Sequence, residues 1–286
     1  MTGVEQEGCY LSFTKNCGGG LTREHQISQN LIKKIPGRFA VRGFPGADPT
    51  VDVIVPVEVQ GSKVLCKRHN EALSPLDDQA GKMFARLYPS TQFLTKRRYG
   101  AALTSRWVFI DAPKLEAWSA KVLAGTHAAG LVRMQGIKHN QPLDYNKMRA
   151  AIERGEFENG AGMYVLADPN ANEHGLQYRP HISNGVVVGI HMNLARFSFL
   201  LIIDAEFCDF RHIYSQPHTY RPSVHRLYGD GGETKLFLSS RQRPNPKNVS
   251  QGRVIWTSTG SSSAAPFDRL QGPPEVDDRT RQKSKP

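Results

Sequence analysis

Apolar and polar positions alternate along "VDVIVPVEVQGSKVLC", residues 51–66, with β-branched residues on both sides of "QGS". That period of two predicts a hairpin whose second strand delivers Cys66 at its end. The period then changes. Leu76, Ala80, Met83, Phe84 and Leu87 fall at helical spacing behind Ser74, a good N-cap, Pro75 at the first helical position and Asp77 in the first turn. "DAPKLEAWSAKVLAG" and "LDYNKMRAAIERG" each open on Asp and close on Gly, which predicts two further helices. From about residue 160 the text turns to strands: "GMYVLAD", "GLQYRPHIS", the turn pair Asn184-Gly185, "VVVGIHMNLA" and "RFSFLLIID". "YGDGGETK" lacks the frame of a phosphate loop and reads as a hairpin turn. Beyond Gly260 the chain is rich in Ser, Pro and mixed charge, the composition of a disordered tail.

These patterns predict an α+β protein in four sections. Residues 1–90 form a first domain, residues 91–158 a helical connector, residues 159–259 an antiparallel β-rich domain and residues 260–286 a disordered tail. A chain of 286 residues, 39% hydrophobic, can bury one large core or two smaller ones, and two domains are expected. The formal net charge of +11 suits a polyanionic partner such as nucleic acid. The first residues lack the charged and apolar regions of a signal peptide, and "FSFLLIID" is too short to span a bilayer. A soluble, cytoplasmic protein with no membrane partner is the expectation, and no feature reports an oligomeric state.

In a reducing compartment the four cysteines are tested first as metal ligands rather than disulfides. Cys208, inside "AEFCDF", reads as a buried thiol. Cys9, Cys17, Cys66 and His69 are donors of the type zinc prefers, and the Cys66-x-x-His69 spacing lets one turn present two of them to a single ion. Seven residues separate Cys9 from Cys17, so that loop must fold back before both can bind. The competing reading is two unrelated thiols and a surface histidine.

Between the two pairs stands "LTREHQIS", which sets Glu24 beside His25. The order Cys9, Cys17, "TREHQIS", "CKRHNEALSPLD" resembles the HNH endonucleases, the ββα-metal or His-Me finger nucleases, in their zinc-containing form. The resemblance covers the first 90 residues or so. It implies a structural Zn²⁺ on Cys9, Cys17, Cys66 and His69, and a catalytic Mg²⁺ or Mn²⁺ near Glu24 and Asn70. It also implies His25 as general base in hydrolysis of a DNA phosphodiester, with defence against foreign DNA as a context. His69 stands where the family usually has a second Cys, Glu71 where it has a second Asn, and the family's middle Asn has no clear counterpart.

"FLTKRRYGAALTSRW" sets Lys96, Arg97, Arg98 and Arg106 beside Tyr99 and Trp107, able to contact phosphates and stack on a base, or equally to form a solvated basic turn before a strand. His181 and His191 could align across a hairpin, although polar positions of a sheet face account for them as well. Two rival functions are a catalytically inactive, zinc-stabilised nucleic-acid-binding protein and a nuclease acting on RNA.

Overall fold

The computed structural model describes residues 2–34, 40–42, 52–54, 61–95, 104–134, 137–138, 143–167, 176–211, 218–239 and 249–253. The chain enters through a 3-10 turn, Ser12–Thr14, and a left-handed Lys15 with φ 53°, which together reverse its direction between Cys9 and Cys17. Strand β1 (Leu21–His25) and the short helix α1 (Gln29–Ile32) follow. Strands β2 (Ala40–Arg42) and β3 (Asp52–Ile54) pair with each other, and β4 (Gly61–Cys66) lies antiparallel to β1, with Leu21 opposite Cys66 and His25 opposite Gly61.

The hairpin expected within residues 51–66 is therefore replaced by two separate pairings. Asp52–Ile54 joins β2, Gly61–Cys66 joins β1, and Gly61 and Ser62 are strand residues rather than a turn; residues 55–60 lie outside the described residues. Alternation identifies a strand but does not choose its partner. The β1–β4 register brings Cys66 to the end of the chain segment that carries Cys17.

Helix α2 (Lys67–Gln92) begins directly after β4, eight residues before the start expected with Ser74 as N-cap and Pro75 as first residue. Cys66 is its N-cap, the thiol accepting from the His69 backbone N–H at 3.5 Å. Pro75 sits inside the helix. A proline has no N–H for the carbonyl four residues back, and Ser74 compensates by donating its hydroxyl to the Glu71 carbonyl at 3.0 Å. The Ser-Pro pair thus repairs an interior position. Ala80, Phe84 and Leu87 are buried as the periodicity predicts, while Leu76 and Met83 are partly buried.

Strand β5 (Thr104–Ile110) leads into α3 (Ala112–Ala128), capped by the Asp111 carboxylate as its sequence indicates. Every residue of α3 from Leu115 to Thr126 is buried, so this segment is a central helix and not a tether between domains. Strands β6 (Arg133–Met134) and β7 (Ile137–Lys138) form a small pair. Helix α4 (Tyr145–Arg149), capped by Asp144, runs into a π-helical turn that ends at left-handed Gly155.

The expected strands β8 (Gly162–Leu166), β9 (Leu176–Ser183), β10 (Val186–Leu194) and β11 (Phe197–Ile202) form, with β12 (His218–Tyr220), a five-stranded antiparallel sheet in the order β12-β8-β11-β10-β9. In it His191 faces Arg179 and His181 faces Gly189, so the two histidines do not align. A second sheet is mixed. β13 (Val224–Gly229) and β14 (Gly232–Leu238) make the hairpin expected at "YGDGGETK", while β15 (Val249–Arg253) adds parallel to β13 and β5 parallel to β14. One cluster of buried side chains runs from Cys9 to Leu238, so sections 1–90, 91–158 and 159–259 contribute to a shared core. Among the described residues no helix is long and apolar enough to cross a membrane. The segment from 260 onward lies outside the described residues.

Candidate metal centre and adjoining polar residues

The reversed N-terminal loop, the end of β4 and the first turn of α2 bring Cys9, Cys17, Cys66 and His69 together. All four are buried, and their donor atoms lie within 4.8 Å of one another. The His69 Nδ1 stands 3.4 Å from the Cys9 Sγ, 3.7 Å from the Cys17 Sγ and 3.3 Å from the Cys66 Sγ. Zn–S bonds of about 2.3 Å and a Zn–N bond of about 2.0–2.1 Å at tetrahedral angles require S···N separations of about 3.5–3.6 Å. The observed distances bracket that value. Three sulfurs also converge on one ring nitrogen, which as a hydrogen-bond acceptor could serve only one of them. The donor set can hold a metal such as zinc.

The wide spacing of the first pair has a use. Thr14, between Cys9 and Cys17, donates its hydroxyl to the Leu11 carbonyl at 2.8 Å, which leaves its oxygen to accept from His69 Nε2 at 3.1 Å. That contact places the ring proton on Nε2 and turns the Nδ1 lone pair toward the sulfurs, the orientation a ligating histidine needs. Burial holds His69 below the ordinary imidazole pKa, so the ring is neutral. Burial also raises the Cys9 thiol to about 12. At Cys66 burial again opposes the thiolate, but hydrogen bonds led by the His69 backbone hold its pKa below the usual thiol value. A bound dication would deprotonate all three thiols.

Glu24 lies on β1 with only 5% of its surface exposed. Its carboxylate meets the Lys121 Nζ at 2.5 Å, and the same ammonium meets the Asp77 carboxylate at 2.5 Å. Trp118, one turn before Lys121 on α3, donates its indole N–H to Asp77 at 3.3 Å. The Tyr10 hydroxyl, buried against the same charges, has no hydrogen-bond partner among the described residues. Burial raises the Glu24 pKa above its usual value, and the Lys121 ammonium opposes that rise. Neither Lys121 nor the pairing role of Asp77 was visible from the motif. The available signal is the single lysine in the otherwise apolar run "AWSAKVLAG".

His25 ends β1, partly exposed, with the Gln29 side-chain amide 3.0 Å from Nε2 to orient the ring. Gly61 lies opposite it, and a Cβ there would come 3.5 Å from the His25 Cε1 and closer still to Arg23. Asn70, partly buried on α2, donates its amide to the Thr22 hydroxyl at 3.0 Å, tying the helix to β1. Arg106 packs its guanidinium 4.6 Å from the Phe93 ring centre and donates to the Pro89 carbonyl, so it serves the end of α2. Lys96, Arg97 and Arg98 lie outside the described residues. Cys208 is partly buried, its thiol raised to about 11 by that burial.

Compared with known proteins, the chain matches no family model, no curated protein and no solved structure.

Proposed function

We propose that this chain is a zinc-stabilised endonuclease of the HNH kind, hydrolysing DNA phosphodiester bonds with His25 as general base. One observation carries the reading. The strand that presents His25 lies antiparallel to a strand that runs directly into a helix, and a buried set of four metal donors ties that second strand and the helix to the N-terminal loop. That strand, strand, helix order agrees with the nuclease finger that "TREHQIS" and "CKRHN" resemble. Zinc on Cys9, Cys17, Cys66 and His69 would supply a rigid base for the finger and take no part in the reaction.

His25 takes a proton from water, the resulting hydroxide attacks phosphorus, and the bond to the 3′ oxygen breaks with its electron pair passing to that oxygen, which solvent protonates. Gly61 adds no side chain of its own beside the ring, where the Arg23 side chain already lies. A hard divalent ion needs open oxygen ligands. Glu24 does not fit that role, because Lys121 already occupies its carboxylate; the Asn70 amide nitrogen is held by Thr22, which leaves its Oδ1 as the one oxygen the pair offers. No step is assigned to an ion on these two residues. The closure of Glu24 favours a second reading, a nucleic-acid-binding protein whose nuclease finger no longer cleaves.

Plasmid DNA and single-stranded DNA and RNA, incubated with the protein in EDTA, Mg²⁺ or Mn²⁺, separate these readings. His25→Ala is expected to lower the cleavage rate by about 10²–10⁴-fold, the usual worth of a positioned base. Equal rates for the variant and the unaltered chain would remove His25 from the mechanism. No cleavage of any substrate by the unaltered chain would establish the second reading, and cleavage of RNA alone would change the substrate.

A further inference from the structure

Strand alternation divides the side chains of β5 and β14 cleanly between two faces. Val108, Ile110, Leu236 and Leu238 point into the core, whereas Trp107 and Phe109 are 64% and 66% exposed. Phe237, opposite Phe109 in the register, joins them on the outer face. The three rings form a preassembled group: Phe109 stacks on Phe237 with centroids 5.2 Å apart, and Trp107 meets Phe237 edge-on at 5.9 Å. Two large aromatic side chains left exposed side by side forgo the burial that apolar surface favours, so the arrangement asks for an occupant.

The surrounding charge selects one. On the same face Lys235 stands opposite Trp107, with Arg226 beside it on β13. Glu233 pairs with both cations, at 3.2 Å and 3.8 Å, and leaves the face net positive. Phe109 and Phe237 also form one wall of an open cleft of about 940 Å³ whose opposite wall on α2 carries Lys82 and Arg86. Lys114, at the start of α3, lines it as well and is paired with Asp111 at 3.1 Å. The floor includes Trp118, the residue that donates to Asp77. Rigid rings on an open sheet and cations spaced along a groove are the two components that hold unpaired bases and their phosphates. A duplex, with its bases stacked inside, offers nothing to the rings.

We propose that the outer face of β5, β14 and β13, with the adjoining cleft, is a binding platform for single-stranded nucleic acid. Trp107, Phe109 and Phe237 stack on successive bases, and Lys82, Arg86, Arg226 and Lys235 follow the phosphates. His25 is not among the platform's residues, and the platform binds whether or not that residue cleaves.

The test uses the whole chain carrying His25→Ala, so that binding is read without cleavage, and fluorescein-labelled oligothymidine of about 12 nucleotides beside a duplex of equal length. Anisotropy is expected to show the single strand bound at least tenfold more tightly than the duplex. Adding Trp107→Ala and Phe109→Ala weakens single-strand binding at least tenfold and leaves duplex binding unchanged, whereas Trp107→Phe retains most of the affinity. Adding Phe207→Ala instead, an exposed ring elsewhere (48% exposed), changes nothing. Lys82→Ala with Arg86→Ala flattens the dependence of log affinity on log salt by roughly 0.7 for each phosphate that is no longer neutralised. Unaltered affinity after removal of both rings overturns the proposal, as does an equal weakening on duplex and single strand. Absence of single-strand binding by the His25→Ala parent also overturns it, and leaves the face to a protein surface or to residues 254–286 of the chain itself.

Discussion

Protein carrying Cys66→Ser is expected to retain no zinc after purification without chelator, where the unaltered chain retains about one ion. Cys66 stands in two places at once, as a donor that could hold the ion and as the N-cap of α2. A metal present at about a thousand times its Kd contributes about 4 kcal/mol to the folded state. In a domain of this size each kcal/mol moves the melting temperature by about 2–4 °C, so calorimetry should show a fall of roughly 8–16 °C. Chelation of the unaltered chain should reproduce that fall. Thr14→Val makes a gentler test, since it keeps all four donors and removes the partner of His69 Nε2 together with the bond to the Leu11 carbonyl, and it should weaken zinc by about 10–100-fold while the ion remains bound at saturation.

The direction with pH follows from the protonation states. Burial raises the Cys9 thiol to about 12, and hydrogen bonding lowers that of Cys66, so at neutral pH the metal-free site still holds thiol protons that the ion must displace. Zinc affinity therefore falls as pH falls, with roughly two to three protons released per ion near neutrality. Titration calorimetry in buffers of different ionisation enthalpy measures that number directly.

The four metal donors were legible in the sequence because donor type and short spacing are local properties, and so were the Asp111 and Asp144 caps and the Gly155 stop. Thr14 was not, because nothing in "CYLSFTKNC" reports that the loop reverses through a left-handed Lys15. The start of α2 escapes the sequence for a related reason. Ser74-Pro75 has the local form of a helix start, yet the chain upstream is held helical by Cys66 and His69 in a shared site.

Lys121→Met should be the most damaging single substitution away from the metal centre. It leaves the Glu24 and Asp77 carboxylates facing each other in a buried pocket without their common cation. Removing one partner of a buried ion pair costs about 3–5 kcal/mol, which denaturant unfolding would read as a lower midpoint with an unchanged slope. Lys121→Met with Glu24→Gln should recover part of that loss, and the double-mutant cycle measures the coupling. The pH dependence has a definite sign. Burial raises the Glu24 pKa in the folded state, so its protonated form favours folding; that contribution is complete below the unfolded carboxyl range and is lost as pH rises through the folded value. Without Lys121 the folded value rises further. The deficit of the variant should therefore be smaller at pH 5 than at pH 7. A deficit below about 1 kcal/mol at pH 7 would mean that the ammonium does not hold the two carboxylates.

The sequence by itself determined which residues can bind metal, where two helices start and one stops, and which stretches are strands, because each depends on neighbours a few positions away; the stop expected at Gly125 failed, since α3 continues through it to Ala128. Tertiary structure alone decided that β5 pairs with β14 and that β4 pairs with β1. It also decided the surroundings of the two side chains that the motif sets side by side. Alternation places Glu24 and His25 on opposite sides of β1, but only the arrival of α3 makes one side a buried ion pair and leaves the other partly open. Likewise Trp107 was a candidate base-stacking residue in the sequence, and the parallel pairing with β14 supplied the ring of Phe237 and the lysine beside it. The physical reason is common to both: backbone geometry fixes that successive side chains diverge, and the elements that pack on each side, distant in the chain, decide which side meets solvent.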